Sequence, residues 1–436
     1  MAVALGARKA IPEEIYRPKE RESSNLVGAV DLDLALLLDI ALSNSPETRR
    51  AWHLASAAAA QRGRSFSAVL PTATVALSVT RQSAANVANL ADGPTCITAM
   101  GEPSLHIAYT VLTFGATRAA AAAWQNLIGA QFQYNRALQT LFYRVQAAYF
   151  ALDSAIASME AREASLCDAV ELQNAEEIRL CNGLGSKQSL LMARANALRA
   201  NGAVEGARAN VERARAALAE AVGVRVSARF RIVRSKLPSN VDAIGGDVNA
   251  MVSKALLSRQ DLLGAYAQWH VAECLEQAAK CAMFPRIALN GDCANTEYWR
   301  RGRAKTFALS ASLCWDVFSG FDKFFRIMEQ RAQRRVAEEN LRSAGLRAAG
   351  EVWSQYYAHL SAHRQLISAR ALIVAAKESF AAAETAYRSG LCSFMDILSA
   401  QNALASARES IIAAENAFST SLAALAYAVG DLSVAN

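Results

Sequence analysis

The sequence predicts a mainly α-helical fold with some β-strand, in which a unit of long coiled-coil hairpin and two strands occurs twice. Three observations predict it. Alanine runs such as 57–60 and 119–123 supply much of the apolar content, and alanine is the best helix former. Landmarks of the first half return in the second half at a nearly constant distance. Four short segments alternate apolar residues with small or polar ones, which is typical of strands with two different faces.

The duplication rests on residues that keep the same order and nearly the same separation in both halves. Pro71 and Pro285 are 214 residues apart, and Gly183 and Gly390 are 207 apart. Each landmark alone is weak, but together they indicate a repeat. The division they predict is an N-terminal extension over 1–29, expected to be disordered, a first repeat over 30–223, a linker over 224–247, a second repeat over 248–430 and a tail over 431–436.

Each repeat is predicted to begin with a helix and to continue into a pair of strands. Apolar side chains occupy alternate positions, as Val75, Leu77 and Val79 do. The segments have about the ten residues of a tilted transmembrane strand. Four strands cannot close a barrel, so a barrel would require several chains, whereas the edge of a soluble sandwich would not. The predicted strands are 71–82 and 103–114 in the first repeat and 285–297 and 305–316 in the second, with polar loops over 82–101 and 295–305.

A very long helix and a returning helix are predicted to follow each strand pair. The stretch 116–180 contains no proline and would extend roughly 100 Å as one helix. In the second repeat Val352, His359 and Leu366 recur every seven residues with alanines between them, which is the pattern of a coiled-coil seam. Both long helices end at a turn that contains glycine. The predicted helices are 116–180 and 187–222 in the first repeat and 321–388 and 393–429 in the second.

Composition and charge argue against several classes of function. The net charge is +7, but acidic and basic residues are interspersed, and no basic stripe carries the stacking aromatics of a nucleic-acid site. No run approaches the ~20 apolar residues of a membrane-spanning helix, and residues 1–25 lack the apolar core of a secretory signal. Because no catalytic or metal-binding motif is present, we expect neither an enzyme nor a cofactor or metal. Among the eight cysteines, Cys281 and Cys293 are the first candidates for a disulfide.

The turn that joins the last two helices carries the most specific motif. It contains Tyr387, Gly390, Ser393, Asp396 and an Ala-Gln pair ending at Gln401. This succession resembles the tip motif of the TolC-like outer-membrane efflux protein family, and the likeness covers nearly the whole chain.

The resemblance implies three protomers that share one twelve-stranded outer-membrane β-barrel above a periplasmic α-helical tunnel. It also implies a passive exit duct of a tripartite efflux or type I secretion system, with a periplasmic adaptor protein, an inner-membrane transporter and outer-membrane lipid as partners.

By position, the resemblance gives the two hairpin turns specific roles. It implies that Asp396 narrows a periplasmic gate, and that Ser399 stands where some members have a second aspartate, which would weaken an electrostatic constriction. Asp396 also follows Ser393 at the spacing of a capping box, so a cap alone and a cap with a gate both stay open. The residues implied to contact the adaptor are Leu180, Gly183, Leu184 and Gly185 in the first turn and Tyr387, Arg388, Ser389, Gly390 and Leu391 in the second.

The alternative function is that of a soluble coiled-coil scaffold. The charged start of the chain, without an apolar signal segment, favours it. The four alternating strands argue against it, because a scaffold has no need of them. The leading prediction is a protein of the bacterial outer membrane that extends into the periplasm, as the resemblance implies, and the scaffold stays the alternative.

Overall fold

The computed structural model describes residues 31–84, 96–112, 114–226, 231–233, 247–298 and 302–430. The extension predicted over 1–29, most of the linker predicted over 224–247 and the tail over 431–436 lie outside these ranges. The described chain is mostly helical with one four-stranded sheet, which confirms the predicted fold class at that level. No helix within it is long and apolar enough for a membrane crossing.

The elements follow the same order in both halves of the chain. The first half contains β1 (Asp31–Leu32), α1 (Leu34–Asn44), α2 (Pro46–Ser65), β2 (Thr72–Ala84), β3 (Cys96–Leu112), α3 (Phe114–Cys181) and α4 (Lys187–Val222). The second half contains β4 (Arg231–Ile232), α5 (Val248–Ser258), α6 (Gln260–Cys281), β5 (Arg286–Tyr298), β6 (Gly302–Cys314), α7 (Asp322–Arg388) and α8 (Phe394–Val429). A short 3₁₀ helix, Phe66–Val69, precedes β2.

Local signals explain where several helices begin and end. The Asp33 carboxylate caps α1 by accepting from the Leu34 N–H at 2.8 Å, and a proline, which fits the first helical position, starts α2 at Pro46. The returning helices α4 and α8 end at Gly223 and Gly430, whose φ angles of 79° and 80° are left-handed. Glycine adopts this conformation without strain, so both helices terminate there.

The described contacts group into two compact units. One comprises Met1–Ala51, Tyr134–Gln260 and Gly345–Asn436, and the other comprises Trp52–Gln133 and Asp261–Ala344. In the first unit Val352, His359 and Leu366 are buried along α7. The seven-residue seam predicted from the sequence is therefore confirmed for these positions.

The sheet lies in the second unit, and its strands are antiparallel in the order β2-β3-β5-β6. The strands reach further than predicted: β3 begins at Cys96 and β6 at Gly302, so the loops predicted over 82–101 and 295–305 are wrong at their ends. Backbone pairing defines a strand, and polar side chains do not prevent it. At Pro103, which has no N–H to donate, the β3–β5 pairing skips and then resumes in the same register.

The suggested disulfide is also wrong. Cys281, at the end of α6, and Cys293, in β5, are both free thiols in the structure. The other described cysteines outside β3 are free as well, so covalent cross-links contribute nothing to the stability of this part of the chain.

Candidate functional site

The two faces of the sheet differ sharply in chemistry. Directly paired residues point to the same face of an antiparallel sheet, and the pairs Val75–Leu105 and Leu289–Ala311 lie on one face. Apolar residues of this face are highly exposed: Val75 is 79% accessible and Leu77 is 75% accessible. The apolar face therefore requires a cover or an apolar solvent.

The opposite face is polar and carries an ion pair. His106 Nδ1 lies 2.5 Å from Asp292 Oδ1, and these residues are directly paired between β3 and β5. Four residues further along each strand, the Thr296 hydroxyl donates to Glu102 at 3.2 Å. Because the His106 and Asp292 side chains are 47% and 53% accessible to water, this face suits an aqueous lumen better than a protein core.

The sheet has two open edges. Within the described residues, β2 pairs only with β3, and β6 pairs only with β5. Each outer strand therefore presents a row of backbone donors and acceptors without a partner from the sheet. Unprotected edges of this length are templates for pairing with another chain.

The two turns between the long helices have one common backbone design. In the first, the Leu184 N–H donates to the Arg179 carbonyl at 2.8 Å; in the second, the Leu391 N–H donates to the Ala386 carbonyl at 2.8 Å. Together with the bonds from the preceding glycines, these are Schellman motifs. The glycines, Gly183 and Gly390, have φ angles of 73° and 74°.

Most residues predicted to contact an adaptor lie at the surface of these turns. Leu184 and Leu391 are 75% and 83% accessible, while Leu180 and Gly185 are half-buried. Gly185 has a packing reason as well, since a Cβ there would lie 2.9 Å from the Leu180 backbone nitrogen. The remaining predicted turn residues are exposed, namely Gly183, Arg388, Ser389 and Gly390.

Tyr387 does not share this exposure. Its side chain is buried, and its hydroxyl donates to the Glu176 carboxylate of the other hairpin. Arg179 covers its ring, with the guanidinium carbon 4.5 Å from the ring centre. Burial and then the Glu176 hydrogen bond raise the pKa of Tyr387. The tyrosine of the tip motif thus joins the two hairpins within one protomer, and its side chain is not presented to a partner.

Asp396 is exposed and forms the predicted capping box. Its carboxylate accepts from the Ser393 N–H at 2.9 Å and from the Ser393 hydroxyl at 2.7 Å. The Ser393 hydroxyl in turn accepts from the Asp396 N–H at 3.3 Å. These bonds, first that from the hydroxyl, lower the pKa of Asp396, so its charge persists under mildly acidic conditions. Ser399 is also exposed, one turn further along α8.

Polar contacts that the sequence analysis did not predict join the two hairpins away from their turns. Arg162 on α3 lies 2.8 Å from Glu409 on α8, and Arg408 lies 2.7 Å from Asp168. The one sequence feature that could have indicated such a contact is the position of Glu176. This carboxylate lies four residues after the buried Leu172 and therefore on the same face of the helix. Its partner could not be inferred, because Tyr387 is 211 residues away.

Known proteins share this architecture. The family model described as "Outer membrane efflux protein" matches residues 37–224 and 251–431, whereas no curated protein matches the chain by sequence. The Vibrio cholerae outer membrane protein VceC is 20% identical with a TM-score of 0.81, covering 91% of this chain and 96% of its own. The Campylobacter jejuni channel CmeC is 20% identical with a TM-score of 0.81, covering 91% and 85%. The open-state Neisseria gonorrhoeae channel MtrE is 21% identical with a TM-score of 0.76, covering 91% and 89%.

Proposed function

Because this chain belongs to the outer membrane efflux protein family, we propose that three copies of it form one export channel, each contributing four strands to a twelve-stranded barrel. The observation that carries the proposal is the exposed apolar face of a four-stranded sheet with two open edges. Family membership makes the chain an outer-membrane protein, and it leaves no support for the soluble scaffold.

The open edges account for the oligomer. A β-structure within a membrane must close, since unpaired backbone groups have no water to bond with. Membrane barrels contain about eight strands or more, so one sheet of this chain is too small. If β2 of one copy pairs with β6 of the next, three copies close the ring and leave no edge.

The two faces of the sheet then have opposite solvents. The face with Val75 and Leu77 contacts lipid, and the face with His106, Asp292 and Glu102 lines the water-filled lumen. This is the alternation expected of outer-membrane barrels, apolar outside and polar inside.

The hairpin turns are proposed to form the periplasmic entrance. The exposed turn residues, chiefly Leu184, Leu391 and Arg388, contact a periplasmic adaptor protein, and Asp396 with Ser399 narrows the passage. An inner-membrane transporter supplies the cargo, in a tripartite efflux or type I secretion system, while the channel itself is passive. The support for these partners is the family's role in efflux together with the tip motif.

Planar-bilayer recording of the purified chain, with its mass measured in detergent, tests the proposal. A trimer with discrete openings is expected. Asp396→Asn removes the charge from the proposed entrance and is expected to reduce selectivity for cations, whereas Ser393→Ala damages the same cap without removing the carboxylate. If both variants change selectivity equally, the cap and not the charge is responsible. A protein that stays monomeric and never conducts would refute the channel.

A further inference from the structure

Seven apolar side chains are exposed where β6 passes into α7. They are between 51% and 78% accessible to solvent. Contiguous exposed apolar surface of this kind marks a binding surface or a membrane contact. We name the group the Phe corner, and its members are Trp315, Val317, Phe318, Phe321, Phe324, Phe325 and Met328.

The backbone of the Phe corner holds these rings outward. Gly320 and Phe321 have φ angles of 62° and 66°, and Phe321 is the one non-glycine residue with a positive φ in the described ranges. A bulky residue rarely adopts this conformation. The Phe321 ring packs edge-to-face on Phe318 at 5.5 Å, and its carbonyl accepts from the N–H of Phe325 at 3.0 Å, which begins α7. The backbone of the turn that starts α7 therefore holds the rings in their exposed positions.

Positive charge follows the apolar residues along α7. Arg326 is exposed, and the structure gives it no ion-pair partner among the described residues. Further along, Glu276 on α6 is surrounded by three cations, with Lys280 at 2.7 Å, Arg334 at 2.8 Å and Arg331 at 3.7 Å. We name Lys280, Arg331 and Arg334 the cation cluster. Arg334 also lies 3.5 Å from Glu338, and two carboxylates cannot neutralise three cations, so the cluster keeps a net positive charge.

The Phe corner continues the apolar face of the sheet. Trp315 lies just after β6, two residues beyond Leu313. Its indole N–H donates to the Met283 carbonyl at 3.1 Å, which joins the end of β6 to the segment between α6 and β5. From Met328, the last residue of the Phe corner, to Arg331 the helix advances about 4.5 Å. A headgroup layer is about 5–8 Å thick, so cations at this distance from the Phe corner match the depth of lipid phosphates.

We propose that the Phe corner is embedded in the periplasmic leaflet of the outer membrane, and that Arg326 and the cation cluster bind anionic phospholipid headgroups there. This inference rests on the proposed function, because it requires the sheet to lie in the membrane. Lipid is the occupant that supplies both an apolar phase for the rings and negative charge for the cations. Aromatic residues and basic residues at the ends of membrane segments act in this way.

Depth-dependent fluorescence quenching tests the position of the Phe corner. The channel is reconstituted in vesicles whose phospholipids carry bromine near the glycerol backbone, and Phe324→Trp is compared with Leu346→Trp, an exposed position later on α7. In a parent protein whose native tryptophans, Trp315 of the Phe corner included, are replaced by phenylalanine, the indole introduced at position 324 is expected to be quenched, and the one at position 346 is not. Equal quenching at both positions, or none at 324, would overturn the proposal.

The headgroup contact is tested by charge removal at matched positions. Arg326→Gln is compared with Arg342→Gln, an exposed arginine sixteen residues further along the same helix. One interfacial arginine changes binding to anionic lipid by about five-fold. Arg326→Gln should therefore weaken retention of phosphatidylglycerol, measured by native mass spectrometry in detergent, by about five-fold relative to phosphatidylcholine, and Arg342→Gln should leave it unchanged. Equal effects of the two variants would contradict a specific contact.

The two proposals fail in different ways. A wild-type trimer that conducts, but whose position 324 is not quenched by bromine, retains the channel and loses the anchor. If that position is also shielded from aqueous iodide, the Phe corner is a contact between protomers, which likewise overturns the lipid proposal. A chain that neither inserts nor conducts refutes the channel, and the anchor with it.

Discussion

Leu77→Arg is the sharpest test of which solvent the apolar face meets. Leu77 is the sixth of the thirteen residues of β2 and is 75% accessible. In the proposed barrel, at about 3.4 Å per residue and a tilt of about 40°, Leu77 would lie roughly 13 Å from the start of the strand, near the middle of an apolar layer about 25 Å tall. An arginine facing lipid at that depth costs about 2–4 kcal/mol, and three copies would lose about 6–12 kcal/mol per trimer.

Ser78→Arg is the matched control, because Ser78 is the next residue of the strand and faces the polar side opposite Glu102. The assay is folding of each variant into phospholipid vesicles over a range of urea concentrations, followed by the heat-resistant trimer band on gels. Leu77→Arg should shift the folding midpoint to lower urea, and Ser78→Arg should hardly move it. If both variants behave like wild type, the apolar face does not contact lipid and the barrel assignment is wrong.

Three further predictions concern the stability of the hairpins. Each is tested by the free energy of unfolding in urea, measured for the variant and for wild type. Tyr387→Phe should cost about 1.5–3 kcal/mol because it leaves the buried Glu176 carboxylate without its donor. Since the pKa of Tyr387 is raised above 10.0, the difference in free energy of unfolding between wild type and the variant should persist up to about pH 10 and shrink at higher pH. A difference that stays constant with pH would show that the Tyr387 hydroxyl is not its cause. Gly183→Ala should cost about 1–2 kcal/mol at its left-handed φ, whereas Gly202→Ala, within α4 and open to solvent, should stabilise the helix by about 0.5–1 kcal/mol. Ser393→Ala should cost about 1 kcal/mol through loss of the helix cap, and no change would show that the cap is dispensable.

The helical part of the fold was predictable because its signals are local. Val352 and Leu366 belong to a seven-residue period that any stretch of the helix displays, and both are buried. The period selects one face of the helix and so names the buried residues without knowledge of the partner helix.

The limits of the strands were less predictable because pairing is not local. The segment 96–102 contains Gly101 and is followed by Pro103, two residues that are typical of a loop. It nevertheless forms a strand, because β2 pairs with it residue by residue, Val79 opposite Gly101 and Leu77 opposite Pro103. The start of β3 is therefore determined by pairing with the backbone of β2, and the sequence of β3 alone does not indicate it.

The tip motif likewise predicts local contacts and not contacts with distant segments. Its spacing correctly predicts the capping box at Ser393 and Asp396, since the atoms involved are three residues apart. It says nothing of the burial of Tyr387, because Glu176 and Arg179 come from the first hairpin. A motif specifies the conformation of its own segment, whereas the surroundings of a side chain depend on what packs against it.

The two hairpin turns differ at the position of Asp396, and the difference indicates whether this residue serves only as a helix cap. Ser189 occupies the position in the first turn that Asp396 occupies in the second, 207 residues apart like the two turn glycines. In the first turn Ser186 caps α4 by accepting from the Ser189 N–H at 3.0 Å, without any carboxylate. The same backbone turn therefore forms with or without the acid, so helix capping does not by itself require an aspartate. Of the two matched positions only Asp396 is acidic, so a trimer would carry three such carboxylates at its entrance instead of six. The loss of one charge per protomer should then be measurable as a change in ion selectivity.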